Sequence, residues 1–365
     1  MAPSTDVLTS WKARDNSGYA TQWTTESTPM NPSTRKKILV TGGCGYIGSH
    51  IARAFKDGGH VVHVIDRVQR LHCLMRKDNN SLDGWYLDDF ASKSSLIGIV
   101  KENYDVIVHC AGTSLVGPSV SDPGEYWDNN ISKLVRLMDA LVQAGQQPLM
   151  MFSGSASVYG EPQQLPIPES HPVNPISPYG NTKATAERVL QDYARAHGIP
   201  AMVFRFFNAC GAEPFDFDLG QEPGATHIVA RILEAVINDQ EFVINGNDFD
   251  TEDGTCVRDY VHVWDIARAH VLGAERKWTE PQAFQFCVMN LGTRTGISNK
   301  QIADYVKNKY NFNNISYGQA RPGDPGTLIA DATLANDWLG WQPEHSSLET
   351  IIDSAYKWYT GGKSE

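Results

Sequence analysis

The sequence has no apolar run approaching the ~20 residues that a membrane span requires. It also lacks a basic excess: Lys and Arg number 31 against 42 Asp and Glu, a net charge of −11. That balance argues against nucleic acid as the main partner and against an anionic membrane surface. It leaves room for a phosphorylated small ligand, for which a few local arginines suffice. Close cysteine pairs are missing too. The six cysteines, at 44, 73, 110, 210, 256 and 287, are scattered. This is not a zinc pattern, and no metal is expected. Free, mostly buried thiols suit a reducing compartment, so the expected location is the cytoplasm. No internal repeat is visible. Residues 1–35 have neither hydrophobic periodicity nor the apolar core of a secretory signal. They are rich in Ser, Thr and Pro, and Asp6, Asp15 and Glu26 fit a transit peptide poorly. The expectation there is a disordered tail.

What is present is the composition of a globular protein, 41% hydrophobic and 20% charged. Order is expected from Lys37. Apolar, strand-like runs occur at 38–40, 61–65, 105–109, 148–152 and 201–205. Helical patterns occupy about 45–57, 122–143 and 178–197. Strands alternating with helices predict an α/β fold, a Rossmann-type doubly wound parallel sheet covered on both faces. After residue 205 the alternation decays, with helical patterns left near 226–239, 298–309 and 346–359. The layout expected is a dinucleotide-binding domain over 36–205 and, over 206–365, mainly a smaller α+β substrate-binding lobe.

Two stretches carry chemistry. Thr41-Gly42-Gly43-Cys44-Gly45-Tyr46-Ile47-Gly48 follows the first strand and opens the first helix. Glycines there let the backbone turn tightly and approach a pyrophosphate, whose charge sits at the helix N-terminus. Asp66 closes the second strand and can hold the adenosine ribose hydroxyls. Its charge would repel a 2′-phosphate, which favours NAD over NADP, although Arg67 and Arg70 lie nearby. The second stretch is Ser177-Pro178-Tyr179-Gly180-Asn181-Thr182-Lys183. On a helix, Tyr179 and Lys183 share a face one turn apart. An ammonium beside a phenol favours the phenolate, so Lys183 is expected to lower the Tyr179 pKa. Ser155 lies at the carboxyl end of a strand, where such folds bind ligands. A Ser, Tyr and Lys set beside a dinucleotide is the equipment for hydride transfer at a carbinol carbon.

From about Lys37 to about Tyr359 the chain resembles the extended short-chain dehydrogenase/reductases, and within them the UDP-glucose 4-epimerase family. The resemblance rests on residues 41–50, 155–160, 177–183, 205–212 and 246–263, the last being the most specific. It implies that Gly42, Gly45, Tyr46, Ile47, Gly48 and Asp66 contact NAD, with Asp89 near the adenine. Ala111, Gly112 and Phe207 would line the cofactor, and Asn129 would reach it from the next helix. Ser155 and Tyr179 would sit by the sugar 4-hydroxyl, and Lys183 would hold the nicotinamide ribose. Phe207 and Asn208 would border the sugar. Arg258, Arg321 and Asp324 would grip the uridine diphosphate, arginine being suited by the match of its fork to phosphate oxygens. His227 and Ile228 match a substrate-side pair. Leu328 matches the position that gates the sugar's 2-substituent. One departure stands out: Ser114 occupies a position where relatives often carry lysine.

The reaction implied is epimerisation at C4 of a UDP-sugar, UDP-glucose or UDP-galactose, through a transient 4-keto intermediate, with NAD retained. Other sugars (a pentose, a uronic acid or an N-acetylhexosamine) are alternatives, as are dehydratases and decarboxylases of the same fold. Those enzymes carry a carboxylate directly after the active-site hydroxyl residue, and here that residue is Ala156. A catalytically silent nucleotide-sugar sensor is the non-enzyme alternative. The resemblance further implies a homodimer joined through the helices near 122–143 and 178–197. Leu134, Leu137 and Leu141 recur there at helical spacing and serve either that contact or the sheet.

Overall fold

A computed structural model describes residues 35–75, 80–216, 218–276, 285–320 and 324–361. The tail expected over residues 1–35 therefore lies outside the described residues, except for Arg35, and so does Arg321. Seven short apolar runs form one sheet: β1 (Lys37–Thr41), β2 (Val61–Asp66), β3 (Gly84–Leu87), β4 (Val106–His109), β5 (Leu149–Ser155), β6 (Ala201–Phe206) and β7 (Phe286–Leu291). Their order is β7-β6-β5-β4-β1-β2-β3, and every neighbouring pair is parallel. The direction of winding reverses between β1 and β4, the switch point where open α/β sheets bind ligands.

The central strands are apolar on both faces because both faces are covered. In β1, Ile38 and Val40 face a core that includes Ile51 and Phe55 of helix α1 (Tyr46–Asp57), while Leu39 faces the opposite core. That opposite core takes Leu134, Leu137 and Leu141 from helix α2 (Lys133–Gln143) and Leu190 from helix α3 (Pro178–His197). Burying each such leucine stabilises the fold by roughly 1.5–3 kcal/mol. The three α2 leucines thus serve the sheet and are unavailable to a partner subunit.

Two expectations need correction. The helix expected over 122–143 runs from Pro123 to Gln143 but is not one regular α-helix: Pro123–Trp127 passes through a π-helical turn over Asp128–Ser132 into α2, and a separate short helix, Val116–Ser121, precedes it. Pro123 lacks the N–H that would continue the preceding helix, so it opens a new one. Asp122 caps that start, accepting from the Glu125 backbone N–H at 3.3 Å. The second correction is that the alternation does not end at residue 205. β7 returns from the second half of the chain to pair with β6. Helix α5 (Val263–Glu275) likewise returns and packs against α1.

The remaining segments form a smaller lobe. Helix α4 (Ile228–Ile237), Asn299–Tyr310 and Leu348–Tyr359 surround a separate core that includes Ile232, Phe242, Ile302 and Ile352. Strand Phe242–Asn245 pairs with Ile315–Gly318, and Val257–Arg258 pairs with both Ile297–Ser298 and Thr327–Leu328.

Candidate active site

A cleft of about 580 Å³ runs across the carboxyl ends of the strands. Its floor at one end is the glycine loop. Gly42 has φ +71°, and a Cβ on Gly48 would lie 2.2 Å from the Gly42 carbonyl oxygen, so no larger residue fits this turn. Helix α1 starts after Gly45 with no side-chain cap. Its first N–H groups are left for an anionic ligand. Asp66 accepts from the Cys44 backbone N–H at 3.0 Å and the Val68 N–H at 3.1 Å, and it also lines the cleft. Arg70 is turned elsewhere, donating to the Cys44 carbonyl at 2.8 Å and lying 3.5 Å from Glu222. Tyr46 lines the cleft, while its hydroxyl donates to the Gly211 carbonyl at 2.7 Å. Ile47, Ala111, Gly112, Asp89, Asn129 and Phe207 line the same cleft. The uncapped helix start, the side-chain-free cradle and the acid at the end of β2 fit a dinucleotide without a 2′-phosphate.

The cleft continues to the hydroxyl groups. Ser155 ends β5, and its Oγ accepts from the Ser157 backbone N–H at 3.2 Å. Ser177 caps α3 by accepting from the Gly180 N–H at 3.1 Å. A Cβ on Gly180 would meet the Ser157 carbonyl at 2.8 Å, so glycine allows the start of α3 to close on the serine turn. The result is that Ser155 and Tyr179 line the same cleft. The π-helical turn adds a second tie. It turns both Asn129 and Asn130 inward, and Asn130 donates to Thr182 on α3 at 3.0 Å.

Lys183 is buried. Its Nζ donates to the Ser153 carbonyl at 2.8 Å and lies 4.7 Å from the Phe152 ring centroid and 5.8 Å from that of Tyr179. Burial brings its pKa down to about 8, with Cys110 and Glu187 opposing the shift. The expected depression of the Tyr179 pKa does not occur in the protein alone. Burial pushes the phenol up, and the nearby Ser155 hydroxyl opposes this only in part. The physical reason is that the lysine is aimed at Ser153 and not at the phenol oxygen. Behind Lys183, the buried Arg205 binds Glu187 at 2.9 and 2.6 Å and donates to Tyr159 at 2.8 Å, which stiffens the back of the site.

A smaller pocket of about 190 Å³ adjoins this end. Asn208, Thr226 and His227 line both spaces. The smaller pocket also takes Ile228, Arg258 and Asp324. Arg258 donates to the carbonyls of Val257 at 3.0 Å and Gly326 at 3.3 Å. His227 precedes α4, and burial lowers its imidazole pKa. Leu328 pairs in register with Arg258 and lines the larger cleft. Ser114 is also on that wall. The sequence reading missed Lys133 in the larger cleft, and Arg231 and Asn245 in the smaller. Lys133 carried a usable signal, since it sits four residues after Asn129 and shares its helix face.

The model of the NAD dependent epimerase/dehydratase family matches residues 38–291. The chain belongs to that family. A UDP-glucose 4-epimerase of Lactobacillus helveticus is 39% identical over 328 residues, covering 88% of this chain and 97% of that protein. Its counterpart in Halalkalibacterium halodurans is 36% identical over 327 residues, covering 88% and 95%. Among solved structures, a Stenotrophomonas maltophila UDP-glucose-4-epimerase with bound NAD and formylated UDP-arabinopyranose superposes with a TM-score of 0.83 at 30% identity. It covers 90% of this family member and 98% of that chain. A Brucella ovis UDP-glucose 4-epimerase in complex with NAD gives 0.80 at 35% identity, with coverage of 90% and 98%.

Proposed function

We propose that the protein is an NAD-dependent UDP-sugar 4-epimerase acting on UDP-glucose and UDP-galactose. The observation that carries this reading is the continuity of the cleft. The glycine loop, the Ser155–Tyr179 pair and Arg258 border adjoining spaces that share Asn208, Thr226 and His227. A nucleotide sugar anchored at Arg258 and Asp324 can extend its sugar to Tyr179. Bound NAD would supply the acceptor and donor of hydride at C4 and, in its oxidised form, positive charge. Tyr179 takes the proton of the 4-hydroxyl as that carbon is oxidised and returns it as the carbon is reduced from the other face. Ser155 orients the phenol and the hydroxyl. Lys183 holds the ribose end and keeps positive charge within the buried wall. Ala156 is buried and apolar, so no carboxylate stands directly after Ser155 to run an elimination.

The assembly in this reading is a homodimer. Its support is apolar exposure beside α3, including Val120 at 68% and Trp127 at 40%, on segments that pack against that helix. The free thiols at all six cysteines suit the cytoplasm. Among the described residues no helix is long and apolar enough to cross a membrane. The test is mass spectrometry of the small molecules released on denaturing the purified protein, with turnover of UDP-galactose. Release of NAD and steady formation of UDP-glucose without net reduction are expected. A preparation that binds NAD and UDP-galactose but turns nothing over would support the sensor reading instead. Light scattering should give twice the chain mass, and a monomer at micromolar concentration would remove the dimer.

A further inference from the structure

Three carboxylates, Asp66, Asp88 and Asp89, line the dinucleotide end of the cleft, where a ligand's pyrophosphate is also anionic. Two are answered locally. Asp66 accepts from the Cys44 and Val68 N–H groups, and Asp88 accepts from the hydroxyls of Ser92, Ser94 and Ser95 at 2.6, 3.0 and 2.7 Å. Asp89 has a cation as partner. Its Oδ1 accepts from the Ala91 N–H at 2.9 Å, and its Oδ2 from Lys133 Nζ at 2.6 Å. The same Nζ donates to Asn129 Oδ1 at 2.7 Å. Lys133 is the first residue of α2, directly after the π-helical turn, and its side chain is only 13% exposed. Burial alone would push the Asp89 carboxyl up, but the bonds from Lys133 and Ala91 outweigh it and hold it ionised below the usual range.

We infer that Lys133 is a cofactor-positioning residue: it neutralises Asp89 and locks Asp89 and Asn129 into one surface that receives the adenosine half of the dinucleotide. The inference rests on the NAD reading above. The lysine joins the loop after β3 to the helical wall opposite, so it sets both the charge and the width of that end. Without it, a partly exposed carboxylate, left with only the Ala91 N–H as hydrogen-bond donor and the more distant charge of Arg67, faces an anionic ligand, a repulsion that removing the carboxylate's charge relieves. A lysine that merely supported folding would show no such dependence on Asp89.

The experiment compares the parent with K133M, K133Q, K133R and D89N/K133M. NAD per chain is measured after gel filtration and denaturation, the NAD dissociation constant is measured on stripped protein, and thermal unfolding is followed without cofactor. The expected result is about tenfold weaker NAD binding in K133M and K133Q, the scale of one charge-assisted contact. K133R should bind close to the parent. D89N/K133M should recover most of the loss, while cofactor-free unfolding changes little across the set. NAD binding by K133M or K133Q equal to the parent, or a double variant no better than K133M, would overturn the inference. A parent that neither carries nor binds NAD would instead sink the cofactor reading itself, so the two failures are distinguishable.

Discussion

The two ends of the cleft are held by different means. The dinucleotide end is built largely of backbone: a turn that admits only glycine at Gly42 and Gly48, an uncapped helix start, and an acid fixed by two N–H groups. The opposite end, which we propose takes the nucleotide sugar, is built of side chains delivered by separate segments, Asn208, His227, Arg258, Asp324 and Leu328. Backbone recognition is insensitive to most substitutions and fails abruptly at the few positions where a Cβ cannot fit. Side-chain recognition can be retuned one residue at a time. Cofactor use should therefore be fixed in this fold, while substrate choice is open to adjustment.

The junction between the ends should show the largest effect. Tyr179→Phe removes the proposed proton acceptor and little else, so turnover of UDP-galactose should fall by about 10³-fold or more with bound NAD unchanged. Near-full activity would discard the proton assignment. Opposite outcomes are expected from one substitution at each end. Gly48→Ala places a methyl group 2.2 Å from the Gly42 carbonyl, so purified protein should carry little or no NAD. Arg258→Ala should keep its NAD and raise KM by roughly tenfold or more with a smaller change in kcat, as loss of a ground-state contact predicts. If Gly48→Ala retained NAD, the contrast between the ends would collapse.

Lys183→Met should separate activity from stability. Burial lowers the folded-state pKa to about 8 from the ordinary 10.5. The folded lysine therefore loses its proton before the unfolded one does. The burial penalty is full below pH 8 and relaxes as pH rises from about 8 to 10.5, so stability contributed at this site increases across that window. Replacing the lysine with methionine should raise the cofactor-free Tm at pH 7 by roughly 2 °C or more and flatten the rise above pH 8, while turnover is lost. An unchanged or lower Tm in a calorimetric scan would count against the burial penalty.

The smallest effect is expected at Leu328. Its side chain lines the larger cleft and cannot hydrogen-bond an acetamide, whose polar atoms would lose solvation there. The parent should prefer UDP-glucose and UDP-galactose to UDP-N-acetylglucosamine. Leu328→Ser should raise kcat/KM for the acetylated sugar several-fold. Equal efficiency in the parent, or no gain in the variant, would remove the gate.

The same contrast explains what was legible in the sequence. Gly42, Gly48 and Asp66 are readable because backbone geometry demands those residue types in that order after a strand. Tyr179 and Lys183 are readable because helix periodicity puts them on one face. Whether the lysine lowers the phenol pKa is not readable, since it depends on Nζ pointing at Ser153, an orientation no spacing encodes. The π-helical turn at Asp128–Ser132 is equally hidden, and without it the inward pairing of Asn129 and Asn130 cannot be foreseen. Arg231 and Asn245 were missed because their pocket is assembled from segments remote in sequence. β7 was not among the expected strands, because it lies beyond the alternating region, and only its pairing with β6 shows that it belongs to the sheet.

That late strand bears on how the chain is made. During synthesis β1 to β6 can assemble as soon as they emerge, but β6 then presents an open row of backbone donors and acceptors until Phe286–Leu291 follows. Such a row invites pairing with another nascent chain. The interval between the two strands is a window of vulnerability on the ribosome, when a chaperone has most to protect. A stop codon anywhere in that interval would not leave a smaller dinucleotide-binding protein. It would leave a fragment with an unguarded border, which sedimentation should find in aggregates.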